Sequence, residues 1–240
     1  SLSADVNIAA NEYQLSISEF NVKPNLTGFK LLNLSGNFVL LKDLAGITDL
    51  KIITERSFIS LNAAVSEFYL FSEEGINLQK SPLKIELDAM NLNFDDLTNF
   101  ISGTDILKGT VETHLSAEGT LNELELKKLE VNLANSNLNA TGYLQNILDG
   151  GEMNIHMNFR NSFINQDDVT ALLPSLEIPT YKEYGVLHFD SLAYEGQPLN
   201  FTSNMLLQTD QGKVSGLVKM DLTGEDIVYD YQITTTNLNL

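Results

Sequence analysis

The sequence contains no cysteine. This absence excludes disulfides, a thiolate nucleophile and a cysteine-bound zinc ion, but it does not identify the redox compartment, since an exported protein can also lack cysteine. Basic residues are scarce: 14 Lys and Arg stand against 32 Asp and Glu, which gives a net charge of −18. Nucleic acids and anionic lipid head groups both attract clustered positive charge. The excess of acidic residues therefore argues against both partners. It does not argue against binding of lipid tails, which require apolar surface.

Long apolar runs are also missing. None approaches the roughly 20 residues that a membrane-spanning helix requires. The chain begins at Ser1, without an initiator methionine, a basic-then-apolar leader or a small-residue cleavage site. We therefore expect a segment of a longer protein or a mature product, with any membrane anchor outside it.

Enzyme motifs are lacking as well. There is no G-x-S-x-G, G-x-G-x-x-G or P-loop pattern. His114, His156 and His188 fall on three different predicted strands, and none has a second ligand at metal-site spacing. The acid pairs at 95–96 and 167–168 suit the first turns of helices better than an acid–base pair. The sequence predicts no catalytic residue, no metal and no cofactor.

Internal repetition is the strongest positive signal. Residues 13–22, 85–94 and 231–240 match one another, and residues 156–164 form a weaker fourth copy. Each copy alternates apolar and polar residues, which is the periodicity of a β-strand. The copies recur at spacings of 72, 71 and 75 residues, measured between Phe20, Leu92, Phe163 and Leu238.

The residues after each copy repeat too. Helical spacing of apolar residues behind acids predicts short helices at 95–101 and 166–173, with a weaker equivalent at 26–32. A glycine-led strand follows at 36–41, 109–117 and 185–189. A hairpin completes each unit, with turn residues at 55–57, 135–137 and 210–212. One unit is therefore a strand, a short helix and three further strands.

The period divides the chain into successive units. We expect unit 1 at residues 1–82, unit 2 at 83–150, unit 3 at 151–228 and the start of a fourth at 229–240, in one continuous elongated domain that is an excerpt of a longer protein. The predicted fold class is all-β: an elongated, repetitive antiparallel sheet curled into a groove, with short helices between strands.

Two segments resemble the TamB/AsmA-like family. Residues 107–121 contain a glycine-led strand, a second glycine at Gly119 and the start of a hairpin, and residues 179–222 are similar to the corresponding unit of TamB-like proteins. The resemblance covers most of residues 83–240 and is diffuse over residues 1–82. It implies a periplasmic sheet anchored to the inner membrane by a segment outside this chain. It also implies a groove for phospholipid acyl chains and an outer-membrane barrel partner that contacts other regions of the protein.

Strand parity predicts which residues form the apolar face. The candidates are Val111, Thr113, Leu115, Ala117, Leu129, Val131, Leu133, Met153, Ile155, Met157, Phe159, Phe201, Ser203, Met205, Val214, Val218 and Met220. Those expected to line a lipid groove are Val111, Leu115, Val131, Leu133, Ile155, Met157, Met205 and Val218. The residues expected to face water are Glu112, His114, Glu118, Glu130 and Asn132.

An apolar face has to be covered. The residues alone leave two alternatives open: the sheet folds over itself as a closed sandwich, or acyl chains occupy an open groove. The resemblance favours the groove and therefore phospholipid transport and outer-membrane assembly. The alternative function is a passive structural or adhesive β-repeat of the cell envelope, which would have a closed core and bind no lipid.

Overall fold

The computed structural model describes residues 2–9, 12–20, 28–67, 79–100, 104–149, 151–175, 180–224 and 226–237. These residues form fifteen β-strands and two short α-helices. The strands are β1 (Leu2–Ala9), β2 (Glu12–Phe20), β3 (Leu31–Leu41), β4 (Leu44–Thr54), β5 (Phe58–Ser66), β6 (Leu83–Asn93), β7 (Thr110–Gly119), β8 (Glu123–Asn132), β9 (Asn137–Gln145), β10 (Asn154–Phe159), β11 (Ser162–Ile164), β12 (Leu187–Gln197), β13 (Asn200–Thr209), β14 (Gly212–Asp221) and β15 (Val228–Thr236). The helices are α1 (Phe94–Leu97) and α2 (Gln166–Leu172), and single 3-10 turns lie at Thr104–Ile106 and Lys182–Tyr184.

All fifteen strands belong to one antiparallel sheet, and their spatial order follows the chain. Each strand pairs with its sequence neighbours, except that β10 and the short β11 do not pair with each other. Both lie between β9 and β12, and β11 continues the line of β10. The predicted all-β, antiparallel and elongated fold class is therefore confirmed. Among the described strands, β1 and β15 form the two ends of the path and do not pair with each other.

The order of elements recurs along the sheet. The series of a strand, a helix and three strands appears at β6, α1 and β7–β9, and again at β10–β11, α2 and β12–β14. The weaker copy at 156–164 is split because the chain leaves the strand at Arg160 and Asn161, and Asn161 has a positive φ of 49°. β15 occupies the place of the next first strand, although the anchor position Leu238 lies outside the described residues.

The predicted helices are partly correct. α2 matches the expected position, whereas α1 has four residues, shorter than the predicted 95–101, and a turn follows it through Phe100. The expected helix at 26–32 is wrong at its end, because Leu31 and Leu32 belong to β3, and residues 21–27 lie outside the described residues. No helix among the described residues is long and apolar enough to cross a lipid bilayer.

β12 is longer than the alternation predicted. A register shift between Phe189 and Ser191 places one extra residue in the strand. The apolar side therefore changes from odd to even positions, from Phe189 to Leu192 and Tyr194, and simple alternation ends at the bulge. The same device occurs in β8, where Leu124 and Leu126 precede a register shift and Leu129 and Val131 follow it.

Candidate functional site

Backbone pairing aligns one uncharged residue from each of fourteen strands into a central row, and twelve of the fourteen have apolar or aromatic side chains. Residues directly opposite each other in neighbouring strands point to the same face of a sheet. The central row consists of Val6, Leu15, Phe38, Ile47, Ala63, Ile85, Ala117, Leu126, Gly142, Met157, Tyr194, Ser203, Val218 and Tyr231. It contains no charged residue, and Ser203 donates its hydroxyl hydrogen bond to the Ala193 carbonyl at 3.1 Å.

Two flanking rows run beside the central row on the same face. The first consists of Ile8, Tyr13, Leu40, Ala45, Val65, Leu83, Gly119, Leu124, Leu144, Ile155, Gly196, Phe201, Met220 and Tyr229. The second, from β4 onward, consists of Leu50, Leu61, Leu87, Leu115, Leu129, Ala140, Phe159, Leu192, Met205, Gly216 and Ile233. Neither row contains a charged residue. We call the three rows together the apolar face.

The apolar face is long. At about 4.8 Å between strands, fourteen strands extend over roughly 60 Å, and three rows about 6.7 Å apart give a surface on the order of 800 Å². Apolar patches on monomeric soluble proteins rarely exceed a few hundred Å². Of the described apolar side chains, ten are buried, and most residues of the three rows are only half-buried. The described residues therefore do not bury this face as the interior of a closed sandwich.

Five of the eight residues expected to line a groove lie in the three rows of the apolar face. Met157 and Val218 lie in the central row, Ile155 in the first flanking row, and Leu115 and Met205 in the second. They share one face and are spread over the four strands β7, β10, β13 and β14, so they lie along the apolar face and do not converge on a point.

The other three residues expected to line a groove lie at the margin of the apolar face. Val131 stands opposite Thr113, on the same face and two residues beyond Leu129 of the second flanking row. Leu133 follows the end of β8 and is not part of a strand. Val111 is only 4% exposed, so it packs into the end of the face and is not available to a ligand.

A concave pocket of about 510 Å³ opens on the apolar face at β1–β5. Its apolar lining includes Val6, Leu15, Phe38, Ile47 and Ala63 from the central row. Sequence reasoning missed this part of the face, because the family resemblance is diffuse there. The signal was present in the alternation of Val6 with Ile8 and of Tyr13 with Leu15, which has the same period as the later strands.

Register shifts and glycines explain how a single sheet can become concave. Every pairing from β3 to β9 contains a register shift, and bulges bend and twist a sheet. At Gly142, where φ is +155°, a β-carbon would lie 1.9 Å from the His156 carbonyl oxygen. At Gly216 it would lie 2.2 Å from the Gln232 carbonyl oxygen. Only glycine permits the strands to approach this closely.

The opposite face carries the charge. On β7 and β8, Lys127 pairs with Glu118 and with Glu125, both at 2.8 Å, and Lys128 pairs with Glu130 at 3.0 Å. The Lys127 ammonium holds the pKa of Glu118 below its ordinary value. Strand alternation therefore places these charged side chains on the face opposite the apolar rows.

The histidines also occupy this charged face. His114 Nδ1 lies 2.5 Å from Asp88 Oδ1, His156 stands opposite Tyr143 and Glu195, and His188 is exposed. The described residues contain no cluster of three or more His, Asp or Glu that could hold a metal ion.

Tyr194 is a packing residue of the apolar face. Its ring stacks on Phe201 with centroids 4.5 Å apart, and its hydroxyl lies 2.9 Å from the Gln197 carbonyl oxygen. Burial raises the pKa of Tyr194 to about 12. The phenol is therefore neutral at physiological pH, and the apolar face carries no charge at Tyr194.

Both helices are attached to the sheet by the second residue of each acid pair. Asp96 accepts hydrogen bonds from Ser57 Oγ at 2.6 Å and Thr54 Oγ1 at 2.5 Å, and Asp168 accepts one from Ser136 Oγ at 2.6 Å. Both carboxylates are buried. The first-turn position was predicted correctly, but the prediction of simple helix-end charges was incomplete. These acids hold the helix to the turn of a hairpin, and we call each arrangement an acid latch.

Comparison with family models, with curated proteins and with solved structures finds no match for this chain. The resemblance to TamB/AsmA-like proteins therefore has no support from these comparisons, and the function has to be argued from the apolar face itself.

Proposed function

We propose that this chain provides an apolar β-groove that holds phospholipid acyl chains, as part of lipid transport to the outer membrane and its assembly. The observation that carries the proposal is the apolar face, which crosses fourteen strands without a charged residue and remains half-exposed. Burial of apolar surface is worth about 25 cal/mol per Å². Acyl chains can supply that burial without requiring any specific polar contact.

The arrangement of rows suits transport better than storage of one ligand. The rows offer an acyl chain uncharged contacts along the whole apolar face, so it can move across the strands without breaking a specific polar interaction. A closed pocket would instead enclose most of one ligand and orient it with a few polar groups. The protein's role is non-enzymatic in this proposal.

The cellular setting belongs to the proposal as well. It consists of a periplasmic location, an inner-membrane anchor outside this chain and an outer-membrane barrel partner that contacts other regions. These three statements depend on the TamB/AsmA-like resemblance alone. The apolar face supports lipid contact and does not bear on them.

Photo-crosslinking tests the proposal at neighbouring residues of opposite orientation. A photoactivatable amino acid is placed at Ile155, Met205 or Val131 on the inner side, and at His156, Asn204 or Glu130 as matched controls one residue away. The chain is expressed in the periplasm of a Gram-negative host, and captured phospholipid is identified by mass spectrometry. We expect capture at the inner positions only. Equal capture at both sets, or capture at neither, contradicts the proposal.

A charge placed in the strip provides a second test. Ile155→Asp should reduce phospholipid capture at Met205, because an ionised carboxylate is costly to bury in acyl surroundings, whereas His156→Asp should leave capture unchanged. Thermal unfolding of both variants reveals whether they remain folded. If Ile155→Asp unfolds and no inner position captures lipid, the strip is the packed face of a passive structural β-repeat.

A further inference from the structure

A second concave surface lies on the face opposite the apolar rows. This outer pocket has a volume of about 360 Å³ and crosses β10, β12, β13 and β14. Strand alternation places several of its lining side chains on that face, because their neighbours in sequence belong to the apolar rows. These side chains are Asn158, Ser191, Ala193, Asn204, Leu206 and Ser215. The volume lies within the range of roughly 300 to 1,000 Å³ that small-molecule sites occupy.

Arg160 also lines the outer pocket and is the one charged residue of its described lining. The chain contains two arginines. Arg56 pairs with Asp95 and Asp96 at 3.5 and 2.6 Å. Arg160 is exposed, and it forms no ion pair with a described residue. A guanidinium presents a planar fork of donors that matches the two oxygens of a carboxylate or a phosphate. Arg160 is therefore available to an oxyanion of a ligand.

One carboxylate adjoins the outer pocket in sequence but does not line it. Asp190 is the residue that the β-bulge adds beside Ser191. Gln208 Nε2 donates to this carboxylate and lies 3.1 and 2.9 Å from its two oxygens. In the neighbouring β9, the residue that accepts from the Arg160 backbone N–H is the uncharged Asn139, at 3.1 Å. No carboxylate of the described lining therefore competes with a ligand for the Arg160 guanidinium.

The uncharged lining residues have hydrogen-bonding groups available for a ligand. The side chains of Asn158, Ser191, Asn204 and Ser215 form no hydrogen bond with another described residue. Amides and hydroxyls both donate and accept hydrogen bonds, as the hydroxyl groups of a sugar do. Leu206, which is 39% exposed, adds apolar surface that can contact the C–H groups of a sugar ring. The lining therefore suits a polyhydroxylated ligand better than a bare ion.

The preceding unit has a groove at the corresponding strands, but its charges differ. This groove has a volume of about 350 Å³ and lies on the same face across β6, β7 and β8. Its His114 Nδ1 lies 2.5 Å from Asp88 Oδ1. Its Lys128 Nζ lies 3.0 Å from Glu130 Oε2. The outer pocket has asparagine and serine in its lining and no acid that pairs with the arginine. Of the two grooves, the outer pocket is therefore the one whose positive charge a ligand can reach.

We propose that the outer pocket binds a sugar that bears a carboxylate or a phosphate group. Arg160 binds the oxyanion, and the amides of Asn158 and Asn204 bind hydroxyl groups of the sugar. The outer pocket and the apolar face lie on opposite sides of the same strands. The inference therefore goes beyond lipid contact, and its test is independent of whether acyl chains bind the apolar face.

An NMR titration of the full chain compares glucose, glucuronic acid and glucose 6-phosphate, which differ only at one carbon of the sugar. We expect saturable shifts of the Ser191 and Asn204 backbone amides with a charged sugar. Glucose should bind about ten-fold more weakly or worse, since charge-assisted hydrogen bonds are the stronger kind. The tighter of the two charged sugars identifies the carboxylate or the phosphate as the recognised group.

Acetate and inorganic phosphate are the anion controls in this titration, and both should bind more weakly than the charged sugars. If either anion binds as tightly as the charged sugars, the outer pocket is a simple ion site and the sugar proposal is wrong. Lack of saturation with both charged sugars up to about 20 mM, well above a millimolar dissociation constant, also overturns it.

Three variants connect the binding to named residues. Arg160→Gln should weaken binding of the charged sugar about ten-fold or more, and Asn204→Asp should weaken it too, because a like charge enters the lining at nearly constant size. Lys51→Gln is the matched control: Lys51 is an exposed cation on the same face of the distant strand β4, so its loss should leave the affinity unchanged. Circular dichroism checks that the variants are folded. Wild-type affinity in Arg160→Gln, or an equal loss in Lys51→Gln, overturns the proposal.

Discussion

Ser57 Oγ lies 2.6 Å from Asp96 Oδ2, although the two residues are 39 positions apart in the sequence. The same hydroxyl accepts a hydrogen bond from the Asn93 backbone N–H at 3.0 Å, just before α1. In the next unit, Ser136 Oγ lies 2.6 Å from Asp168 Oδ2 and accepts from the Asn165 N–H at 2.9 Å. The acid latch is therefore a repeated structural element, which fixes the helix of one unit to the hairpin of the preceding unit.

Asp96→Ala should destabilise the protein by about 2 to 3 kcal/mol, because it leaves the buried hydroxyls of Thr54 and Ser57 without their acceptor. Asp95→Ala is the matched control: the Asp95 side chain is 41% exposed and pairs with Lys108 at 3.0 Å, so its loss should cost under about 1 kcal/mol. Urea unfolding midpoints at constant slope measure both changes. Equal losses would show that the buried position of Asp96 has no special importance.

Acidification should weaken the first latch. Burial would raise the pKa of Asp96, but hydrogen bonds from Ser57, Thr54 and Arg56 and the charge of Arg56 outweigh it and hold the pKa below its ordinary value. A carboxylate with a lowered pKa contributes stability that is present above its unfolded pKa, about 3.9, and is lost as pH falls through the lower folded pKa. The stability difference between wild type and Asp96→Asn should therefore shrink below about pH 4. A difference that is constant from pH 7 to pH 2 would contradict this mechanism.

The alternation of residues was sufficient to predict the hairpins and the side of the sheet on which Met157, Met205 and Val218 lie. Sequence periodicity records the orientation of each side chain, so a half-buried antiparallel sheet is the kind of fold it predicts best. Prediction failed where backbone irregularity changed the period. The bulge beside Ser191 reversed the parity of β12, and the break at Asn161 divided the strand predicted at 156–164.

The acid latch shows a different limit. Asp95 and Asp96 have the same residue type and occupy the same helical turn, and no local pattern indicates which is buried. That distinction depends on Ser57, which pairing of β5 with β6 brings to the start of α1. A contact between residues so far apart in the chain leaves no trace in local periodicity. The open pocket at β1–β5 was missed for a similar reason, since its concavity arises from pairing of several strands.

Gly142→Ala should destabilise the sheet strongly. The new β-carbon would lie 1.9 Å from the His156 carbonyl oxygen, at a φ that side chains with a β-carbon rarely adopt. The β9–β10 pairing must then shift, at a cost of about 2 kcal/mol or more. Gly46→Ala is the matched control, because its nearest neighbour would be 3.8 Å away and its φ is ordinary; its stability should change by less than about 1 kcal/mol. Comparable losses in urea unfolding would show that close strand approach at Gly142 is not what requires glycine.

Ala63 and Ala117 lie in the same central row, but Ala63 is in an open part of the apolar face and Ala117 is in a packed part. Both residues stand directly opposite Ile85, on either side of β6. Ala63 lines the pocket of about 510 Å³, whereas Ala117 is 1% exposed and packs with Leu124 and Leu126. The same substitution can therefore be made at two alanines of the central row that both stand opposite Ile85 but differ in packing.

Ala117→Leu should cost about 1 to 3 kcal/mol, because added methyl groups in a filled space force neighbouring side chains and strands to move. Ala63→Leu should change stability by less than about 0.5 kcal/mol, since its added atoms enter the open pocket. The same leucine should compete with lipid for that space, so phospholipid capture by a photo-crosslinker at Leu15 should fall in Ala63→Leu while the fold is retained. If Ala63→Leu destabilises the protein as much as Ala117→Leu does, the pocket at β1–β5 is already filled by packing, and the apolar face is not open to an acyl chain at that end of the sheet.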